Sequence, residues 1–86
     1  MSDLHALIAE KLPGLRFGIF FHTDEDNGES SGFVVDEQRR HWSYWTETVS
    51  GRETINEWGD IHPEDRWTSS REYQAALTAA TGGRDE

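Results

Sequence analysis

RFGIFFHTDEDNGESSGFVVDE, residues 16–37, decides the fold. Its ends are rich in β-forming Phe, Ile and Val, and its polar middle holds Asn27-Gly28. An Asn-Gly pair between two β-rich runs marks a hairpin, because a tight type I′ turn needs positive φ at both central residues. The reading is two strands, over 16–23 and 32–37, with the tip at Asn27-Gly28. A two-residue turn sets Phe21 against Val34 and Phe20 against Val35. Phe17, Ile19, Phe21 and Val34 then share one face, and Phe20, His22, Phe33 and Val35 the other. Both faces of the hairpin are partly apolar.

Upstream, Leu4, Leu7, Ile8 and Leu12 recur at the spacing of one buried helical stripe, with Ser2 or Asp3 placed to cap it and Pro13-Gly14 to stop it. Downstream, residues 41–49 read as a third strand, and Ser50-Gly51 offers a turn into a fourth over 52–58, a stretch that also suits a helical turn. Residues 55–70 lack regular periodicity. The spacing of Tyr73, Ala76, Leu77 and Ala80 predicts a helix over 70–81, with Ser69 and Glu72 as a capping box and Gly82-Gly83 as its stop. The expected class is α+β: an antiparallel meander of three or four strands, covered on one face by an N-terminal and a C-terminal helix. Residues 1–81 form one domain and 82–86 a solvated tail. The order helix, three strands, helix is similar to that of double-stranded-RNA-binding domains, a likeness of topology alone.

The composition argues against carrying RNA binding over. The chain has 17 acidic residues against 8 basic ones, a net charge of -9, whereas affinity for phosphate backbones comes mainly from Lys and Arg. Direct nucleic-acid binding is therefore not expected. Asp24, Glu25, Asp26, Glu29, Asp36 and Glu37 follow one another with no basic residue between them, and a second acidic run extends from Glu47 to Asp65 with Arg52 as its sole base. There is no cysteine, hence no disulfide frame and no thiolate metal site. No long apolar run suggests a membrane span, and the N-terminus has no basic leader region. A reducing cytoplasm is the expected location.

Motifs for chemistry are weak. Anchoring a calcium loop on Gly28 puts Thr23 at its first position and Val34 at its twelfth, where a carboxylate is required. His5, His22, His41 and His62 show no ligand spacing, so a metal or catalytic site needs the fold to gather His22, His41 and Asp24. The serines at 30, 31, 50, 69 and 70 sit where turns and caps account for them. No enzyme activity, cofactor or metal is expected.

The aromatics carry the remaining signal. HWSYWTETVSGRETINEW, residues 41–58, holds Trp42, Tyr44, Trp45 and Trp58, and Trp67 follows in the aperiodic stretch. Alternation along residues 41–49 sends Trp42 and Tyr44 to one face and Trp45 to the other. If two helices cover a single face, either Trp42 with Tyr44 or Trp45 with Trp58 is core, and the other set is a contact surface. The expected function is a small acidic protein-interaction domain that binds through an aromatic sheet face and the acidic hairpin carrying Asp24, Glu25, Asp26 and Glu29. The partner is another protein with a basic surface, or a second copy in a homodimer. Two alternatives remain: a phage-type phosphate-mimicking inhibitor of a nucleic-acid-binding protein, of the antirestriction or anti-CRISPR class, and a small metal protein or enzyme around His22, His41 and Asp24.

Overall fold

The hairpin forms, but not in its simplest register. In the computed structural model, which describes residues 4–26 and 28–82, its strands are β1 (Phe17–Asp24) and β2 (Ser30–Asp36). Ile19 faces Val34 and Phe20 faces Phe33, whereas beyond the irregularity Thr23 faces Ser31 and Asp24 faces Ser30. The expected pairing of Phe21 with Val34 is therefore corrected. Glu25 N–H donates to the Glu29 carbonyl (2.6 Å) and Gly28 N–H to the Glu25 carbonyl (3.3 Å), so a longer loop closes the hairpin. Gly28 takes φ +83, the left-handed position that three-residue hairpin loops use. Asn27 lies outside the described residues.

The register slips because Phe21 adopts φ 57 and bulges out of the ladder. Before the bulge the two faces are as expected. After it they exchange: the Phe21 ring meets Phe33 and Trp67, and His22 meets Tyr44.

The sheet continues with β3 (His41–Val49) and β4 (Arg52–Ile61) in the order β1-β2-β3-β4. Ser50 and Gly51 both take positive φ (55° and 79°), the backbone of a two-residue type I′ turn. Residues 52–58 are thus strand, and the strand runs on to Ile61. A second irregularity inserts Asn56, so that Thr46 faces Ile55 while Trp45 faces Glu57 and Tyr44 faces Trp58.

Three helices complete the chain: α1 (Leu4–Lys11), the single turn α2 (Asp65–Thr68) and α3 (Arg71–Ala80). An eight-residue helix is marginal by itself, and α1 is held by burying Leu4 and Ile8, with Leu12 just beyond its end, against Phe17, Val34 and Tyr44. The Ser2 or Asp3 cap lies outside the described residues. At α3 the expected cap shifts by one residue: the Ser70 hydroxyl accepts from Tyr73 N–H (3.1 Å), while Ser69 ends α2. The residue three past Ser70 is Tyr73, so the reciprocal Glu of a capping box is missing. Of the C-terminal tail, residues 83–86 lie outside the described residues.

The helices do not share one face of the sheet, and that expectation is corrected. α1 belongs to the cluster containing Phe17 and Val34, whereas Tyr73, Ala76 and Ala80 of α3 pack with Phe20 and Val35. Val34 and Val35 are neighbours in one strand and point to opposite faces, yet both are fully buried. Each face therefore has its own helix and its own core. The α+β class and the antiparallel meander between N- and C-terminal helices stand. No helix among the described residues is long and apolar enough to cross a membrane.

The α3 core contains a buried histidine with a consequence for stability. His41 Nε2 lies 2.9 Å from the Tyr73 hydroxyl, and the two rings stack at 5.6 Å. Burial lowers the His41 pKa below its ordinary 6.5, and the nearby Asp36 charge opposes this more weakly. Between 6.5 and the lower folded value the unfolded chain binds a proton that the folded chain does not. Stability from this group is therefore complete above pH 6.5 and is lost as pH falls through the folded value. The urea midpoint should drop from pH 7 to pH 5.5, with a slope of at most about 1.4 kcal/mol per pH unit for one proton. His41→Gln should flatten that slope, and an unchanged slope would assign the effect to another group.

Candidate interaction groove

The α3 face of the sheet is only partly covered, because α3 lies over β1 and β2. Beyond it, across β2, β3 and the chain leading into α2, runs a groove of about 680 Å³. The β1 bulge helps to build it. By holding Phe21 in the left-handed region, the bulge turns that ring toward Phe33 and Trp67, at centroid distances of 6.1 and 6.0 Å. Backbone strain of roughly 1–3 kcal/mol is typical of a non-glycine residue held in such a conformation. Phe33 and Trp67 approach to 4.7 Å and complete an aromatic wall.

Trp45 of β3 lines the same groove, half-buried and packed into neither core cluster. Glu57, its cross-strand neighbour on β4, and Glu64, before α2, add carboxylates. Arg66 Nε pairs with Glu64 at 2.9 Å on the exposed rim. Glu57 has no ion-pair or hydrogen-bond partner among the described residues. Thr23, next to Asp24, marks the end of the groove nearest the acidic hairpin.

The structure separates the five expected aromatics. Tyr44 (3% exposed) and Trp67 (7%) are core residues of opposite faces. Trp42 and Trp58 stack at 5.5 Å, half-buried on the α1 face, and the Arg40 guanidinium lies 5.6 Å from the Trp42 ring centre. Trp58 thus joins Trp42 and Tyr44, not Trp45, because the inserted Asn56 reverses the alternation of β4. At the hairpin, Asp24, Glu25 and Asp26 are exposed and Glu29 is half-buried.

His22 and His41 are not brought together. His41 sits under α3, whereas His22 lies between Asp24 Oδ1 (2.9 Å from Nε2) and the Tyr44 hydroxyl (2.5 Å from Nδ1). A carboxylate only accepts, so in the neutral ring Nε2–H donates to Asp24 and Nδ1 accepts from Tyr44. Burial pushes the Tyr44 phenol well above its ordinary pKa of 10, and the Asp24 and Glu53 charges add to the effect. Tyr44 therefore stays protonated and serves as a donor. No group of three or more metal-ligating side chains occurs among the described residues.

Phe21, Phe33, Glu57, Glu64 and Arg66 escape sequence reasoning as site residues. The signal for Glu57 and Glu64 is their place in the second acidic run. For Phe21 there is none, since it depends on an unannounced bulge. No family model matches this chain, and no curated protein or solved structure shows significant similarity to it.

Proposed function

We propose that this protein is a small acidic interaction domain that holds a basic segment of another protein in the groove beside Trp45. One observation carries the reading: an open groove with aromatic walls and a carboxylate, Glu57, that has no partner among the described residues, in a molecule of net charge -9. Aromatic faces attract Lys and Arg through the ring quadrupole, worth ~0.5–2 kcal/mol per contact. The surrounding acidic charge speeds encounter with a basic partner and makes the complex salt-sensitive. Absence of cysteine suits a reducing cytoplasm as the place of action.

The expected result is that Trp45→Ala remains folded, because Trp45 lies outside both core clusters, and binds a basic partner about tenfold more weakly. Urea titration checks folding and calorimetry against the partner checks binding. A basic partner whose affinity ignores both Trp45→Ala and added salt removes the reading.

The phosphate-mimicking alternative draws on the exposure of Asp24, Glu25 and Asp26 at the hairpin. It predicts that charge reversal at Asp24 and Asp26 abolishes binding while Trp45→Ala leaves it intact.

A further inference from the structure

β4 is an edge strand, and its outer edge is less guarded than that of β1. β1 carries the Phe21 bulge and lies under α3, whereas β4 makes a lesser contact with α1 through its α1-facing side chains Ile55 and Trp58; bulges and covering helices are standard means of blocking strand addition. On β4 the irregularity lies at Asn56, before a regular run in which residues 57 to 61 face residues 45 to 41 in unbroken order. Among the described residues, that run makes no backbone hydrogen bond to any segment other than β3.

Clefts open beside this run at both of its ends. Glu57 lines the aromatic groove, and Asp60 and Ile61 line a smaller cavity of about 280 Å³ beside Trp42, which they share with Arg39 and with Arg40, the latter paired with Asp36. Glu57 and Asp60 are also the run's only charged residues, and both are acidic. Three positions apart on a strand, they project to opposite faces. On the second face the Arg40 guanidinium, paired with Asp36, already lies over the Trp42 ring, which leaves Asp60 as the group for an incoming basic side chain.

We infer that residues 57–61 receive an extended basic segment of a partner protein as a fifth strand. One basic side chain sits opposite Glu57 and enters the groove. A second, three residues away, sits opposite Asp60 on the other face. The inference rests on the proposed function and adds the binding mode and the recognised pattern, two basic residues at i and i+3. In strand addition, main-chain hydrogen bonds supply affinity and alternate side-chain pockets supply specificity. A second copy of this chain is the disfavoured occupant, because it brings an equally acidic edge and a further charge of -9.

The test uses the full chain, isotopically labelled, and the peptide acetyl-Thr-Val-Lys-Thr-Val-Lys-Thr-Val-amide. Binding should slow amide exchange at the alternate residues within 58–61 whose N–H groups point away from β3. Exchanging both lysines for glutamate should remove it, and Glu57→Lys with Asp60→Lys should reverse the preference. N-methylating one alternate set of peptide amides should weaken binding at least tenfold, and methylating the other set should change it less than twofold. Equal binding of both methylated peptides, slowed exchange elsewhere, or no binding of the lysine peptide at millimolar concentration overturns strand addition. Protection of these amides that rises with protein concentration alone, with a mass above 9.9 kDa, makes a second copy the occupant and also overturns it. If Trp45→Ala binds the lysine peptide unchanged while the exchange pattern persists, the groove reading fails and strand addition survives.

Discussion

Gly18→Ala should cost about 3 kcal/mol, at the upper end of overpacking effects and a large share of the ~5–15 kcal/mol that holds a small domain together. A Cβ on Gly18 would lie 2.5 Å from Ala76 Cα and 2.6 Å from its carbonyl carbon, and closer still to its oxygen. These are backbone atoms of α3, with no rotamer to change. The helix must lift, and lifting it uncovers Phe20, Val35 and Tyr73 together. Ala76 and Ala80, 3% and 0% exposed, show the same close approach from the helix side. Gly59→Ala is the control: its Cβ would meet nothing within 4 Å, and its effect should stay within ~0.5 kcal/mol. Urea midpoints of the two variants decide the matter, since a Gly18→Ala protein within 1 kcal/mol of the parent means that α3 is seated differently.

The same contact explains why helix placement was only half legible. Periodicity marks Leu4, Ile8 and Leu12 and also Tyr73, Ala76 and Ala80 as buried stripes, but a stripe does not name the face that it covers. The readable clue is the hairpin, where Val34-Val35 and Phe20-Phe21 leave no polar face for water. Strands apolar on both sides are strands covered on both sides. Expecting both helices on one face set aside that clue.

The two irregularities mark the limit for the site. Gly28 and Gly51 announce their turns because glycine tolerates positive φ, whereas Phe21 takes the same conformation with no residue-type signal. That bulge sends Phe21 into the groove and His22 out of it. Asn56 does the equivalent on β4 and moves Trp58 from the face of Trp45 to the face of Tyr44. Alternation within one strand is legible, as Trp42, Tyr44 and Trp45 show. Alternation carried across a bulge is not, because one extra residue inverts everything beyond it.

Asp36→Ala should be as damaging as Gly18→Ala, by removal instead of insertion. The Asp36 carboxylate is fully buried and accepts from Gln38 N–H and Arg40 N–H (both 2.9 Å), Arg40 Nε (2.8 Å) and Trp42 Nε1 (3.3 Å). It ties the corner between β2 and β3, where Arg39 takes φ 65 and Arg39 N–H donates to the Asp36 carbonyl. Alanine leaves those donors facing a cavity, at a cost of roughly 3–4 kcal/mol. Asparagine keeps one acceptor but turns an amide against the Arg40 and Trp42 donors, and should cost about 2 kcal/mol. Burial alone would raise the carboxyl pKa. The bonds from Arg40, Trp42 and Gln38 outweigh it, and the net shift is below the ordinary 3.8. Stability from Asp36 is therefore complete above pH 3.8 and lost as pH falls through the folded value, a limb of the acid-unfolding curve that both variants should lack. Because the same carboxylate anchors the Trp42 indole, Trp42 and Trp58 should lose their stacking in Asp36→Ala, visible as a red shift in tryptophan emission even where the fold survives. A variant that keeps both its emission and its urea midpoint would show that the corner is held by the strands and not by this carboxylate.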